Sequence, residues 1–232
     1  MATITGTIQL RSSTGSLAWT RDLRVAGAAL FSAGALLLMA IITSEALYPV
    51  AYSTARNEIS DLGGTRPPAG LVFQPVATIF NTSMMATGLL LLAGAIVLQR
   101  ATKRWSVSTP VLVLGGAVVL VGVFPGNTGL PHALSAMVAF WAGGVAAVLA
   151  SRLADAPFRY VLMLLGVINL ASLVSYFVLG DANPMWALGV GGAERWVAYP
   201  VLLWTMGFGG YLAGRASRPV DQGAPSRDPL AT

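Results

Sequence analysis

The side chains best suited to chemistry gather in one stretch, Arg56-Asn57-Glu58-Ile59-Ser60-Asp61-Leu62-Gly63-Gly64. Glu58 and Asp61 lie three residues apart. A carboxyl group withdrawn from water has its pKa raised toward neutrality, where it serves as a general acid or base. Two later points carry matching groups: His132, the single histidine, and the pair Glu194-Arg195. Imidazole relays protons near neutral pH. A guanidinium holds phosphate or carboxylate groups through paired hydrogen bonds. The candidate catalytic residues are therefore Asp61, Glu58, His132 and Glu194, with Asp61 at the centre. The candidate substrate-binding residues are Arg56, Asn57, Asn81, Arg195 and Tyr176. One histidine and no cysteine leave no multi-histidine or thiolate metal site, so neither a metal nor a cofactor is expected. A second reading of the same residues stays open. Glu45, Glu58 and Asp61 can pair with Arg56, Arg66 or Arg195 to lock the loops, and His132 can simply donate to a loop carbonyl.

The elements that hold these residues are apolar. The 232 residues are 55% hydrophobic and 10% charged, with a mean hydropathy of +0.70. A soluble domain carries about 25% charged residues. The chain reads as an all-α integral membrane six-helix bundle. The expected spans are 23–47, 73–98, 107–124, 131–149, 158–179 and 193–212. The first is long enough to cross a hydrocarbon core of roughly 30 Å at about 1.5 Å per residue. Residues 1–22 are read as a disordered cytoplasmic arm without an apolar signal-peptide core. Residues 213–232 are read as a disordered cytoplasmic tail. Eleven of the fourteen Lys and Arg fall in the termini and the second and fourth loops; Arg56, Arg66 and Arg195 fall opposite. The positive-inside rule puts both termini in the cytoplasm of a cell-membrane protein and turns residues 48–68 outward.

Polar residues within the spans crowd toward that outer end. Gln74, Thr78 and Asn81 share a helix face, as do His132 and Ser135, and Asn169, Ser172 and Tyr176. Residues 89–98 and 145–150 carry no polar side chain. Polar groups in a bilayer face the bundle or a wet cavity, so a polar cavity capped by the 48–68 loop is expected. The helix 5 stripe also fits interhelical hydrogen bonding. Trp186, Trp196 and Tyr199 fit an interfacial aromatic belt. Gly210 and Gly214 form a GxxxG pair, and Gly115, Gly116, Gly122, Gly143 and Gly144 add small packing surfaces. Gly63-Gly64 reads as a turn needing positive φ. No internal repeat of the transporter kind is found. No phosphate-binding loop or dinucleotide fingerprint occurs. No basic face interleaved with aromatics points to nucleic acid.

The segment Asn57-Glu58-Ile59-Ser60-Asp61-Leu62-Gly63 resembles the N-x-I-S-D-L-G signature of bacterial and archaeal membrane proteins grouped as domain of unknown function 998. Phe80-Asn81, Gly122-Val123-Phe124-Pro125 with His132, and Gly191-Gly192-Ala193-Glu194-Arg195 agree with it. The layout is more loosely similar to eukaryotic six-helix proteins of the DRAM and GPI-lipid-remodelling type. The resemblance implies a six-helix membrane protein connected with lipids and implies no reaction. The leading expectation is binding or processing of a membrane lipid or isoprenoid in the outer half of the bundle. A prenyl-chain cyclase is one version, with Tyr48, Tyr52, Phe73, Tyr176 and Trp196 as aromatic lining. The alternatives are a non-enzymatic subunit that docks a partner and a small-solute transporter.

Overall fold

The computed structural model describes residues 4–216, with side chains from residue 17 onward. Six helices follow in order: α1 (Ile4–Ala46), α2 (Val76–Thr102), α3 (Trp105–Val123), α4 (Leu130–Ala150), α5 (Phe158–Val178) and α6 (Gly189–Arg215). No strand occurs among the described residues. Each helix packs against the next, and α6 closes the ring against α1 while also touching α4. The connections are short except for the loop between α1 and α2, which contains the 3-10 turn Ile59–Leu62.

The spans fall where the apolar runs place them, and the differences have local causes. α1 begins at Ile4, inside the stretch expected as an irregular arm. No proline interrupts the chain before Pro49, and each residue added to an existing helix gains a backbone hydrogen bond. Residues 217–232, most of the expected tail, lie outside the described residues. α2 starts at Val76 and not at residue 73, because Pro75 sits at its N-cap. Gln74 is thus outside the helix and acts on its first turn, its Oε1 accepting from the Thr78 hydroxyl at 2.7 Å.

The packing is that of a bundle turned toward lipid. Trp204, Phe208, Leu30, Ile41, Leu98 and Leu114 are fully buried at the centre. Leu89, Leu134, Leu164, Val167 and Leu203 are exposed along the outside of the helices. Soluble proteins seldom expose apolar surface on this scale. Five helices are long and apolar enough to cross a membrane. α6 has 27 residues, but its glycines, Tyr199, Pro200 and Tyr211, together with Glu194 and Arg195, dilute its hydropathy.

The closest helix approach is not at the GxxxG pair. A Cβ on Gly214 would meet nothing within 4 Å, and one on Gly210 would reach the Phe31 ring at 4.0 Å. The α1–α6 crossing instead rests on Gly27 and Gly209, where a Cβ on Gly209 would lie 2.6 Å from the Gly27 carbonyl oxygen. α2 and α3 meet in the same way at Gly88 and Gly115. At the end of the bundle where the chain enters and leaves, Arg24 donates to the Ala216 carbonyl at 3.1 Å. There Asp155 also accepts from the Tyr211 hydroxyl at 2.8 Å and from Arg215 at 3.1 Å. The opposite end carries the α1–α2 loop.

Gly209→Ala should destabilise the protein by about 1–3 kcal/mol, the cost of forcing two packed backbones apart. Gly214→Ala should be neutral or slightly stabilising. Unfolding of both variants in detergent, followed by circular dichroism, checks the contrast.

Candidate functional site

The loop end is organised by one side chain of α6. Arg195 is 8% exposed, and its Nη2 forms an ion pair with Glu45 of α1 at 2.6 Å. The same nitrogen donates to the Tyr52 hydroxyl at 2.8 Å. Its Nη1 donates to three carbonyl oxygens, those of Thr54, Asn57 and Gly191, each at 2.9 Å. The guanidinium also stands over the Tyr52 ring, 5.7 Å from its centroid. Tyr52 passes the link on by donating to the Glu58 carbonyl at 2.9 Å. Burial pushes the Tyr52 phenol upward, so it stays protonated and able to donate.

The sequence around Arg195 fits this task. Gly191 lies one turn earlier, and its N–H donates to the Ala55 carbonyl at 3.0 Å. A Cβ at Gly191 would strike the Asn57 and Thr54 carbonyl oxygens, so only glycine admits the loop this close to the helix. Glu194 accepts from the Ile59 N–H through Oε2. Two neighbouring residues of α6 therefore hold the two arms of the 48–68 loop.

Within the loop, the signature residues build the turn. Asn57 Oδ1 accepts from the Ser53 N–H at 2.9 Å. Asp61 Oδ2 accepts from the Glu58 N–H at 3.0 Å and from Asn57 Nδ2 at 3.4 Å. Gly63 has φ −89°, so it is not there for a positive φ. Its Cα packs against Asn81, whose side chain a Cβ would strike and whose Nδ2 donates to the Gly63 carbonyl at 3.2 Å. Gly64 does have positive φ, +156°.

Beneath the loop lies a cavity of about 480 Å³. Glu58, Arg66, His132, Tyr176 and Glu194 contribute its polar groups. Phe140, Leu173, Phe177, Val190 and Val197 form an apolar wall from α4, α5 and α6. A smaller chamber of about 90 Å³ reaches toward the bundle centre between Leu37, Phe80, Leu114 and Leu202. The two chambers share Ser60, His132, Ala136, Phe140 and Glu194 as a common wall.

Two polar groups of the wall are tied in place. Glu58, 7% exposed, pairs with Arg66 at 2.6 Å. Burial pushes the Glu58 carboxyl upward, and the Arg66 charge acts against that rise. His132 Nδ1 lies 2.9 Å from the Phe124 carbonyl oxygen. That acceptor requires the proton on Nδ1 and leaves Nε2 as an acceptor.

The structure thus divides the nine candidates. Glu58, His132, Glu194 and Tyr176 come together around the cavity. Asp61, Arg56, Asn57, Asn81 and Arg195 do not line it. Asp61, expected at the centre, is a turn-forming acceptor, because its carboxylate is turned back onto the Glu58 N–H. Arg56 is exposed, away from the cavity. Arg195 commits both of its terminal nitrogens to five acceptors of the fold. Asn81, with Gln74 and Thr78, borders a separate groove beside Pro125 and Asn127. Of the five aromatics expected as a lining, only Tyr176 reaches the cavity. Tyr48 instead packs edge-on against Tyr52 and Phe73, both at 5.1 Å. Asn169 serves as interhelical glue, donating to the Val197 carbonyl at 2.6 Å. The candidate set omitted Arg66, Ser60 and Phe140. Arg66 had a signal, a basic residue in the same loop as Glu58; Phe140 is one of many apolar residues in its helix and had none.

Packed helices with apolar outer faces and a polar cluster at one end define a multi-pass membrane protein. The chain belongs to the family described as Protein of unknown function (DUF998), whose model matches residues 31–210. No curated protein and no solved structure matches it.

Arg195→Met should cost about 3–5 kcal/mol, since it leaves Glu45 and several loop carbonyls without their donor. Glu45→Gln should cost less, because it keeps an acceptor for Nη2. Equilibrium unfolding in detergent measures both. Glu58 adds a pH dependence. Its raised pKa means that the folded state binds the proton more tightly, so its contribution is largest in acid and is lost as pH rises through the folded value. The melting temperature of wild type minus that of Glu58→Gln should therefore fall from about pH 4 to about pH 7.

Proposed function

We propose that this protein spans the cell membrane six times, with both termini in the cytoplasm, and binds or processes a lipid or isoprenoid beneath the 48–68 loop. The observation that carries the reading is the two-part cavity. Its polar groups gather under the loop, and its remaining walls are apolar side chains of α4, α5 and α6. An amphiphile has the same division. A pocket of this volume, apolar with a few convergent polar groups, is the usual form of a small-molecule site. The orientation is supported by the basic residues Arg100, Lys103, Arg104, Arg152, Arg159 and Arg215, all at the end away from the loop.

If the protein is an enzyme, Glu194 and His132 are the acid–base candidates, since both stand on the wall shared by the two chambers. The cyclase version has less support, with Tyr176, Phe140 and Phe177 as the aromatic groups at the cavity. The partner-docking alternative draws on Asp61 and Arg195, whose bonds lie within the fold.

Ala136 borders both chambers, so Ala136→Trp should fill their junction. Native mass spectrometry and lipid extraction on purified wild type should find a discrete lipid that the variant lacks, with both proteins equally folded. The same lipid profile in both would remove the cavity as its binding site.

A further inference from the structure

We infer that the cavity takes an amphiphile with a primary ammonium head group, in preference to one headed by phosphate. This rests on the cavity reading above and specifies its ligand. Three features of the wall lead to it. First, the carboxyl groups outnumber the guanidinium groups. Glu58 and Glu194 both line the cavity, and Arg66 is the single guanidinium there. Arg66 is matched by Glu58 at 2.6 Å. Glu194 accepts one protein hydrogen bond, from the Ile59 N–H to Oε2, and has no ion-pair partner among the described residues. Its Oε1 has no protein partner among the described residues and is left to whatever fills the space, where an amine can pair with it as ammonium with carboxylate.

Second, His132 is more than nine-tenths buried and lines both chambers. Its Nδ1 is committed to the Phe124 carbonyl, and its Nε2 has no partner among the described residues. With the proton on Nδ1, Nε2 can only accept. Glu194 Oε1 and His132 Nε2 are thus the open positions on the wall shared by the two chambers, whereas the remaining donors of Arg66 belong to a side chain that is 62% exposed. An ammonium brings three donors and a positive charge to these two acceptors.

Third, the cation that would have served a phosphate is taken. Arg195, adjacent to Glu194, spends its Nη1 and Nη2 on Glu45, Tyr52 and three loop carbonyls. A phosphate beside Glu58 and Glu194 would meet two carboxyl groups and one guanidinium that is already paired with Glu58. Like charges at close range disfavour the wrong ligand, and opposite charges favour the right one. The apolar wall of Phe140, Leu173, Phe177 and Val197 accommodates the alkyl chain.

The test uses the full chain in detergent and three probes of equal chain length: dodecylamine, dodecyl phosphate and dodecanol. Native mass spectrometry ranks their retention by wild type, Glu194→Gln and Ala136→Trp. Glu194→Gln keeps a carbonyl oxygen for the Ile59 N–H and loses the charge. Wild type should retain dodecylamine at least about tenfold better than dodecyl phosphate, and Glu194→Gln should erase most of that preference. Ala136→Trp should remove retention of all three. Equal retention of the probes, or a preference for dodecyl phosphate, both lost in Ala136→Trp, overturns the ammonium assignment and leaves the cavity as a lipid site. Amine retention that Glu194→Gln does not change also overturns it. No retention, or retention indifferent to Ala136→Trp, overturns the cavity reading as well. Where a variant does not fold, a wild-type ranking that does not favour dodecylamine still overturns the assignment.

Discussion

Everything at the loop end depends on the burial of one guanidinium. Taking an arginine out of water is costly unless a counter-charge and several acceptors receive it. Arg195 finds Glu45 on α1, the Tyr52 hydroxyl, and carbonyls of Thr54, Asn57 and Gly191. These partners come from three separate parts of the chain, so meeting the needs of one side chain brings α1, the loop and α6 together. Nε is the one nitrogen left without a partner. The geometry also fixes what Arg195 cannot do. A side chain with both terminal nitrogens engaged in this way is a strut, and the groups it leaves at the cavity are Glu58, Glu194 and His132.

The neighbouring glutamate has the complementary position. Glu194 touches the same loop through the Ile59 N–H, yet its side chain belongs to the wall of the cavity. Adjacent residues of a helix point about 100° apart. One turn of α6 thus presents a residue that fastens the loop and another that faces the space beneath it. The loop is in this way both the lid of the cavity and part of its lining, through Glu58 and Ser60.

The helical architecture was legible in the sequence because apolar runs of this length have few alternatives to a membrane helix. The concentration of polar groups at one end was legible for the same reason: polar side chains stand out in such runs. Which of those groups pair was not. Glu58 and Asp61 are both carboxylates of one short segment, but the 3-10 turn Ile59–Leu62 sends one toward Arg66 and the other back to the backbone. That division depends on the turn geometry and on where Arg66 returns eight residues later. Likewise Gly210 and Gly214 match a packing pattern, while Gly209 makes the contact. The rotation of α6 about its axis decides between them, and it is set by the whole ring of helices. Arg195 was recognisable as a charged residue near a helix start, but the carbonyl oxygens that consume it belong to the backbone and carry no side-chain signal.

The most direct test of the central claim is hydrogen–deuterium exchange across residues 52–62 in wild type and Arg195→Lys. A lysine keeps the charge but cannot reproduce the fork of donors that spans Glu45, Tyr52 and the loop carbonyls. If Arg195 holds the loop, the amides of Glu58 and Ile59 should be protected in wild type and should exchange at least about tenfold faster in the variant, while the amides of α2 and α3 change little. Equal exchange of the loop in two equally folded proteins would contradict the account.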